Sequence, residues 1–411
     1  MHINLKRLME DIQVLSSFNE TTGEGCTRFS YSEEDKKARN YIINEMNKIG
    51  LKVTVDPVGN IRGKLEGKNP NYPSIMSGSH IDTVFKGGKY DGVLGVVCAL
   101  EVARVLVEHN IILKRPYEVI VFTEEEGSNF GYNLVGSKVL TGECNLEKIK
   151  DIKTKSGQSM YNKIKELELN PDNLDECVLK LSEVKGLVEL HIEQGSVLDI
   201  ENKTVGIVNG IVGLQWYEIE IKGKANHAGA TPMPLRKDSM VASSQIISQL
   251  PSILKEKGDE TTVATVGRIL CKPNAINVIP ESVKFTIDIR GMNPDVLKNV
   301  IDEISIRLKI LEKEGFDCKI NLLTKTKEVK LSDDILDIIE EEAKKEKISY
   351  KRMYSGSNHD SSIMAQVTDV AMIFVPSVEG RSHCPEEYTK DEDIKNGCRL
   401  LFKTIVELTK Y

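Results

Sequence analysis

The segment Ser74-Ile75-Met76-Ser77-Gly78-Ser79-His80-Ile81-Asp82 is a short apolar run that ends in a histidine. Ser74 to Ser79 suits a buried strand better than a helix, because only a handful of residues separate its flanks. Strands of open α/β sheets present side chains to a crevice beyond their carboxyl ends, and His80 stands at such an end. Working outward, the pattern repeats. Gly92 to His109 carries Val93, Val96, Val97, Leu100, Ala103 and Val107 at helical spacing. Tyr117 to Thr123 is a β-branched strand that runs into Glu124-Glu125-Glu126-Gly127, and Leu187 to Leu190 is a strand that runs into His191. Upstream, Asp35 to Ile49 reads as a helix stopped by Gly50, and Leu51 to Val55 as a strand. This alternation predicts an α/β domain, its sheet mostly parallel and faced by helices.

Near Val212 the order changes. Leu214–Ile221 reads as a strand, Met233–Leu250 as a helix, Thr262–Leu270 and Val283–Arg290 as strands, Pro294–Glu314 as a helix and Asp317–Leu323 as a strand. That βαββαβ set predicts a ferredoxin-like α+β domain. After about Val329 the first style returns, with a helix at Leu331–Lys345, a strand at Ala371–Val375 and a helix at Glu392–Leu408. The expected organisation is one domain of residues 1–211 and 329–411, with residues 212–328 inserted. Lys148 to Glu183 is polar and lysine-rich, a surface elaboration.

Composition narrows the function. The chain has 411 residues, enough for two domains, and a formal net charge of -7, which leaves no basic excess for phosphate backbones. Nucleic acid is therefore not an expected partner. Gly92 to Val107 is interrupted by Glu101 and Arg104, so no membrane span is expected. Met1 to Phe18 reads as an amphipathic helix and not a signal peptide. The 8 cysteines form no Cys-x-x-Cys pair, which suggests reduced, mostly buried thiols and a cytoplasmic protein.

The 7 histidines carry the chemistry. His2 is terminal, and His109 sits at a helix end where the dipole favours a cation. The rest lie amid Gly, Ser, Asp, Glu or Asn. His80 has Asp82 two residues on, a candidate to hold its second ring nitrogen. Asp91, in Gly87-Gly88-Lys89-Tyr90-Asp91-Gly92, precedes a helix; alone it could be an N-cap, but a carboxylate can also bridge two ions. Glu124, Glu125 and Glu126 repel one another unless a cation lies close. Arg381-Ser382-His383-Cys384-Pro385-Glu386 follows another strand. Each feature is ordinary alone. Together they gather at strand ends of one sheet. Imidazole and carboxylate without thiolate suit Zn²⁺, Mn²⁺, Co²⁺ or Ni²⁺, and a pair of such ions can activate water and polarise a carbonyl.

On these residues the chain resembles the amidase, hydantoinase and carbamoylase branch of the aminoacylase-like dinuclear metallopeptidases, the branch of N-carbamoyl-L-amino acid hydrolases and allantoate amidohydrolases. The resemblance runs from Gly25-Cys26-Thr27-Arg28 through Val58-Gly59-Asn60, Glu124-Glu125-Glu126-Gly127-Ser128 and His191-Ile192-Glu193-Gln194-Gly195 to Ser382-His383-Cys384-Pro385-Glu386. It implies two divalent ions per subunit, one on His80, Asp91 and His191, the other on Asp91, Glu126 and His383. It implies Glu125 as general base, with Asp82 and His359 supporting the ligands from behind. The inserted domain would be a lid that forms a homodimer. His227, in Asn226-His227-Ala228-Gly229, would reach the partner's site to stabilise an oxyanion. Gln194, Asn277, Arg290, Gly356 and Ser357 would hold a ureido or amide substrate that carries a carboxylate.

Arg290 also has a reading of its own: it alternates with Val283, Phe285, Ile287 and Ile289 and so projects from the polar face of its strand. The chain departs from the family at Ala230-Thr231-Pro232 and at Ser357-Asn358, where relatives read Thr-Thr-Pro and Ala-Gly. The expected activity is cleavage of a linear carbon–nitrogen bond, foremost of an N-carbamoyl-L-amino acid, with allantoate as the alternative. A dipeptidase or N-acyl deacylase, and an inactive binding protein on this fold, are the rivals. His191 with Gln194 argues against the first, and the complete set of ligands and base against the second.

Overall fold

The computed structural model describes residues 3–410, so Met1 and His2, and with them the start of the expected Met1–Phe18 helix, lie outside the described residues. The chain forms two compact units, Met1–Asn209 with Leu331–Tyr411, and Gly210–Lys330.

The first unit is built on β1 (Lys52–Val55), β2 (Ile61–Leu65), β3 (Ser74–His80), β4 (Tyr117–Phe122) and β5 (Val184–Ile192). The second unit's strands intervene in sequence, so the numbering in chain order is β6 (Val205–Ile211), β7 (Gly213–Lys222), β8 (Val263–Lys272), β9 (Ser282–Gly291), β10 (Asp317–Thr326), β11 (Val329–Lys330), β12 (Tyr350–Ser355) and β13 (Asp369–Val375). The larger sheet runs β1-β2-β4-β3-β5-β13-β6-β11, with β12 also on β6. Its centre, β4-β3-β5-β13, is parallel, and the flanks are antiparallel. Parallel strands buried on both faces need continuous apolar side chains, and every residue of β3 and β4 is buried.

Helix α1 (Leu5–Ser17) buries Leu8, Ile12 and Leu15 on one stripe. Helix α2 (Glu33–Ile49) starts where Ser32 accepts the Asp35 N–H and stops at Gly50, as the sequence suggests. Helix α3 (Val93–Glu108) is different: all of its residues from Val93 to Leu106 are buried. It is the central rod of the unit. Leu100 is 0% exposed, so Leu100→Ala should cost about 2–5 kcal/mol of stability. The helix ends at His109, whose Nδ1 lies 3.1 Å from the Val105 carbonyl. The Lys148–Glu183 region holds short helices at Met160–Glu166 and Pro171–Cys177 that bury Met160, Ile164 and Leu174.

The second unit is a four-stranded antiparallel sheet of order β10-β7-β9-β8. Helices Ser239–Lys257 and Pro294–Lys313 cover one face, where Ile219, Ile221, Phe285 and Ile287 meet Ile246, Ile253, Val300 and Ile304. This is the ferredoxin-like strand order. The first of these helices begins at Ser239 and not at Met233. Pro232 and Pro234 precede it, Met233–Leu235 is a 3-10 turn, and Asp238 caps the Met240 and Val241 N–H groups. It also continues through Pro251 to Lys257. Among the described residues no helix is long and apolar enough to cross a membrane. All eight cysteines are free.

Candidate metal centre

Because β3, β4, β5 and β13 are parallel, their carboxyl ends share one edge of the sheet. His80 ends β3, Glu124-Glu125-Glu126 follows β4, His191 lies near the end of β5, and the loop to His383 follows β13. Asp91 arrives from the turn before α3. Gly92 has φ +66°, and a Cβ there would lie 2.4 Å from the His80 ring, so the turn needs a residue without a side chain.

Two three-residue groups result, His80–Asp91–His191 and Asp91–Glu126–His383, each with its donor atoms within 4.8 Å of one another. Nε2 of His191 lies 3.1 Å from Asp91 Oδ1, and Nε2 of His80 lies 3.8 Å from it. On the other side, Nε2 of His383 lies 3.2 Å from Asp91 Oδ2 and 3.5 Å from Glu126 Oε1. Asp91 is therefore common to both groups. Glu125 Oε2 stands 3.7 Å from His80 Nε2.

The imidazoles are oriented from behind. His80 Nδ1 lies 3.0 Å from the Asp82 carbonyl, and His191 Nδ1 2.9 Å from the Ile192 carbonyl. Each Nδ1–H then has an acceptor, and each Nε2 turns to the centre, as in metal-binding histidines. Asp82 thus holds His80 through its main chain. Its carboxylate instead accepts the N–H groups of Glu125 and Glu126, at 3.3 and 3.1 Å, and shapes that turn. The backbone bends hard around the centre: Glu124, Gln194 and His383 all have positive φ, a conformation L-residues adopt at a cost.

The donor set fits a divalent cation. Asp91 Oδ1 is buried and no hydrogen-bond donor reaches it. The ion-pair partners of Asp91, Glu125 and Glu126 are histidines. Burial, and then repulsion by Glu126, pushes Glu125 well above the usual carboxylate range; burial and then Asp91 do the same to Glu126. Burial also opposes charge on Asp91, but His191 and His383 hold its carboxyl well below that range. Burial opposes charge on His191 too, yet Asp91 draws its pKa up to about 9. A cation among these groups would supply the positive charge that Asp91 otherwise draws onto the imidazole, and would relieve the carboxylates.

His359 and Glu189 make a third group with His191. Both Glu189 oxygens are already engaged, one by the Ser79 hydroxyl at 2.7 Å, the other by the Ser361 hydroxyl at 2.6 Å. The His359 ring stacks edge-on against His191 at 4.6 Å, and burial, then the His191 charge, keep it neutral. This group reads as polar support for His191.

Other expected residues fall as follows. Gln194 donates its amide to Asp91 Oδ2 at 2.8 Å, and its own side-chain oxygen is buried without a partner. Gly356 is exposed and Ser357 half-buried. Ser355 ties their loop to His359, with its hydroxyl 2.8 Å from the Ser357 carbonyl and 3.0 Å from His359 Nε2. In the second unit His227 and Asn277 are exposed neighbours, for the Ala228 N–H donates to the Asn277 carbonyl at 3.0 Å. His227 Nδ1 accepts from the Gly229 and Ala230 N–H groups, so a neutral ring carries its proton on the outward Nε2. Arg290 is half-buried and forms a two-pronged pair with Asp288, at 3.0 and 2.8 Å.

Sequence reasoning passed over Glu387 and Glu189. Glu387 is buried beside Asp91, and burial followed by the charge of Asp91 raises it to about 7. Nothing in Pro385-Glu386-Glu387 distinguishes the inward carboxylate from the outward one. Glu189 could have been suspected as a charge inside an otherwise apolar strand.

The pattern of Peptidase family M20/M25/M40 matches residues 76–407. The N-carbamoyl-L-amino acid amidohydrolase of Geobacillus stearothermophilus is 36% identical over 411 residues, covering 98% of this chain and 98% of its own length. The allantoate amidohydrolase of Escherichia coli (strain K12) is 34% identical over 401 residues, 97% of each chain. Among solved structures, an amidase of the hydantoinase/carbamoylase family from Burkholderia multivorans has a TM-score of 0.93 at 31% identity, covering 99% of this chain and 98% of that one. The chain is a hydrolase of carbon–nitrogen bonds of the metal-dependent amidohydrolase type. By the match over residues 76–407 and by relatives similar along nearly their whole length, it belongs to Peptidase family M20/M25/M40.

Proposed function

We propose that this chain hydrolyses a ureido acid, foremost an N-carbamoyl-L-amino acid, with two divalent ions held by His80, Asp91, Glu126, His191 and His383. The observation that carries the reading is the sharing of Asp91 by two ligand groups with Glu125 beside them. When bound, the ions supply Lewis acidity for the substrate carbonyl and make a water easier to deprotonate. The protein's part is proton movement and placement. Glu125, buried and held by the Asp82-braced turn, takes the proton of the attacking water and returns it to the leaving nitrogen. The partnerless Gln194 oxygen accepts a substrate N–H, which a ureido group offers. Arg290 receives the substrate carboxylate, exchanging its Asp288 partner for the ligand.

A homodimer is part of this reading. β9 and β7 pair from Gly291 opposite Gly213 to Ser282 opposite Lys222, and His227 and Asn277 lie beyond Lys222 and Ser282. Arg290 is at the other end of the ladder, so it stands at least about 25 Å from them at strand spacing. One small substrate cannot touch both ends within one copy. In this reading His227, with Asn277 beside it, reaches the site of a second copy, as the resemblance implies for His227, and its Nε2–H stabilises the oxyanion. Free cysteines throughout support a cytoplasmic setting.

The half-buried polar pair Ser357-Asn358 favours a second reading, a substrate with further N–H and C=O groups such as allantoate. The test is a panel of N-carbamoyl-L-amino acids, allantoate, dipeptides and N-acyl amino acids scored for product and ammonia, with elemental analysis of the protein. Turnover of dipeptides alone, or of nothing, would refute the reading.

A further inference from the structure

Asp91 can bridge only if its loop is held, and the side chain of Glu387 holds the loop's main chain at Tyr90 and Asp91. The carboxylate of Glu387 is 4% exposed. Its Oε1 accepts the Tyr90 N–H at 2.8 Å and the Asp91 N–H at 3.1 Å. Its Oε2 lies 3.2 Å from the Ser382 hydroxyl, and the same hydroxyl lies 3.0 Å from Asp91 Oδ2. Glu387 therefore joins the turn that carries Asp91 to the loop that carries His383, Asp91 and Glu387 being 296 residues apart in sequence. The loop is shaped to receive it, since a Cβ on Gly88 would fall 2.0 Å from its carboxyl carbon. Its neighbour Glu386 does none of this and stays outside, 3.7 Å from the exposed Arg381.

A hydrophobic residue would fill this space at less cost than a carboxylate placed against Asp91. What the carboxylate provides is direction. It fixes the peptide N–H groups of Tyr90 and Asp91 and, through Ser382, the position of Asp91 Oδ2, the oxygen on the His383 side. Ser382 has one proton for two carboxylates. With a cation held by the Asp91–Glu126–His383 group, that proton would serve Glu387 and fix the residue next to His383.

We propose that Glu387 is a positioning residue which, through Asp91 and Ser382, assembles the Asp91–Glu126–His383 group for the second cation while leaving the His80–Asp91–His191 group nearly intact. This rests on the two-ion reading above. The experiment is titration of the metal-free protein with Co²⁺, followed by calorimetry and visible absorbance, for the wild type, Glu387→Gln and Ser382→Ala, with Tm of each metal-free protein. Expected are two ions in the wild type, an unchanged first ion in Glu387→Gln, a second ion weakened roughly 10- to 100-fold, and a smaller loss in Ser382→Ala. Tm should move little. Two ions bound at wild-type affinity in Glu387→Gln would overturn the positioning role and leave the two-ion reading standing. Equal weakening of both ions, or a variant that no longer folds, would make Glu387 merely structural and overturn it too. A single ion in the wild type would defeat the two-ion reading, and the positioning role with it.

Discussion

Oδ1 of Asp91 lies 3.1 Å from Nε2 of His191, inside the protein, with no hydrogen-bond donor on that oxygen. The pair has a spacing at which both atoms could ligate one ion. Asp91→Ala should accordingly remove both ions, whereas His383→Ala should remove one. Elemental analysis of the purified variants decides it, and turnover should fall about 10²–10⁴-fold in either. Retention of both ions in Asp91→Ala would exclude the bridge.

Glu125 is bound to a different outcome. Glu125→Gln keeps the shape and adds no charge, so metal content should stay at the wild-type level while kcat falls about 10²–10⁴-fold. Substantial turnover in this variant would remove the proton-transfer role.

Acidity and metal binding are linked. In the metal-free chain burial, and then neighbouring carboxylates, raise Glu125 and Glu126. An acid with a raised folded pKa contributes stability fully below its unfolded pKa of about 4.3 and loses it as pH climbs through the folded value. Cations remove that loss. The rise in Tm on adding metal should be small near pH 5 and larger near pH 8 by differential scanning fluorimetry. A pH-independent rise would contradict the assignment.

Arg290→Ala should raise KM for carboxylate substrates about 10- to 100-fold with a smaller change in kcat, the cost of one charge-assisted contact. Asp288→Asn removes the competing carboxylate and should not raise KM. If Arg290→Ala leaves KM unchanged, the arginine does not hold the substrate carboxylate.

Complementation tests the second copy. Glu125→Gln and His227→Ala should each be nearly inactive, yet mixing the two after dissociation should restore activity, because one mixed site has both groups. No recovery, with exchange verified by mass, would place His227 in its own subunit's site or in none.

The sequence exposed much of this arrangement because the candidate ligands stand where strands stop. His80, Glu126 and His191 follow apolar runs whose ends are plain, and β3, β4 and β5 appear where the runs are. β2, β6 and β12 were not legible. Gly63 interrupts β2, Gly206 and Gly210 interrupt β6, and β12 begins Tyr350-Lys351-Arg352, so none shows a sustained apolar pattern. Main-chain contacts were equally hidden. That Asp82 grips His80 by its carbonyl, and the Glu125 turn by its carboxylate, depends on backbone direction, which residue type does not encode. Nor does spacing reveal that Arg290 already has Asp288.

Helix α3 bears on more than stability. Asp91 and Gly92 lie directly before its first turn, and the helix is encased along almost its full length. The protein's interior is therefore the jig on which the candidate bridging carboxylate is mounted. Loosening at Val96 or Leu100, far from any ligand, should be read out as a weaker grip on the ions, because whatever binds only the folded form draws its affinity from how well that form is set.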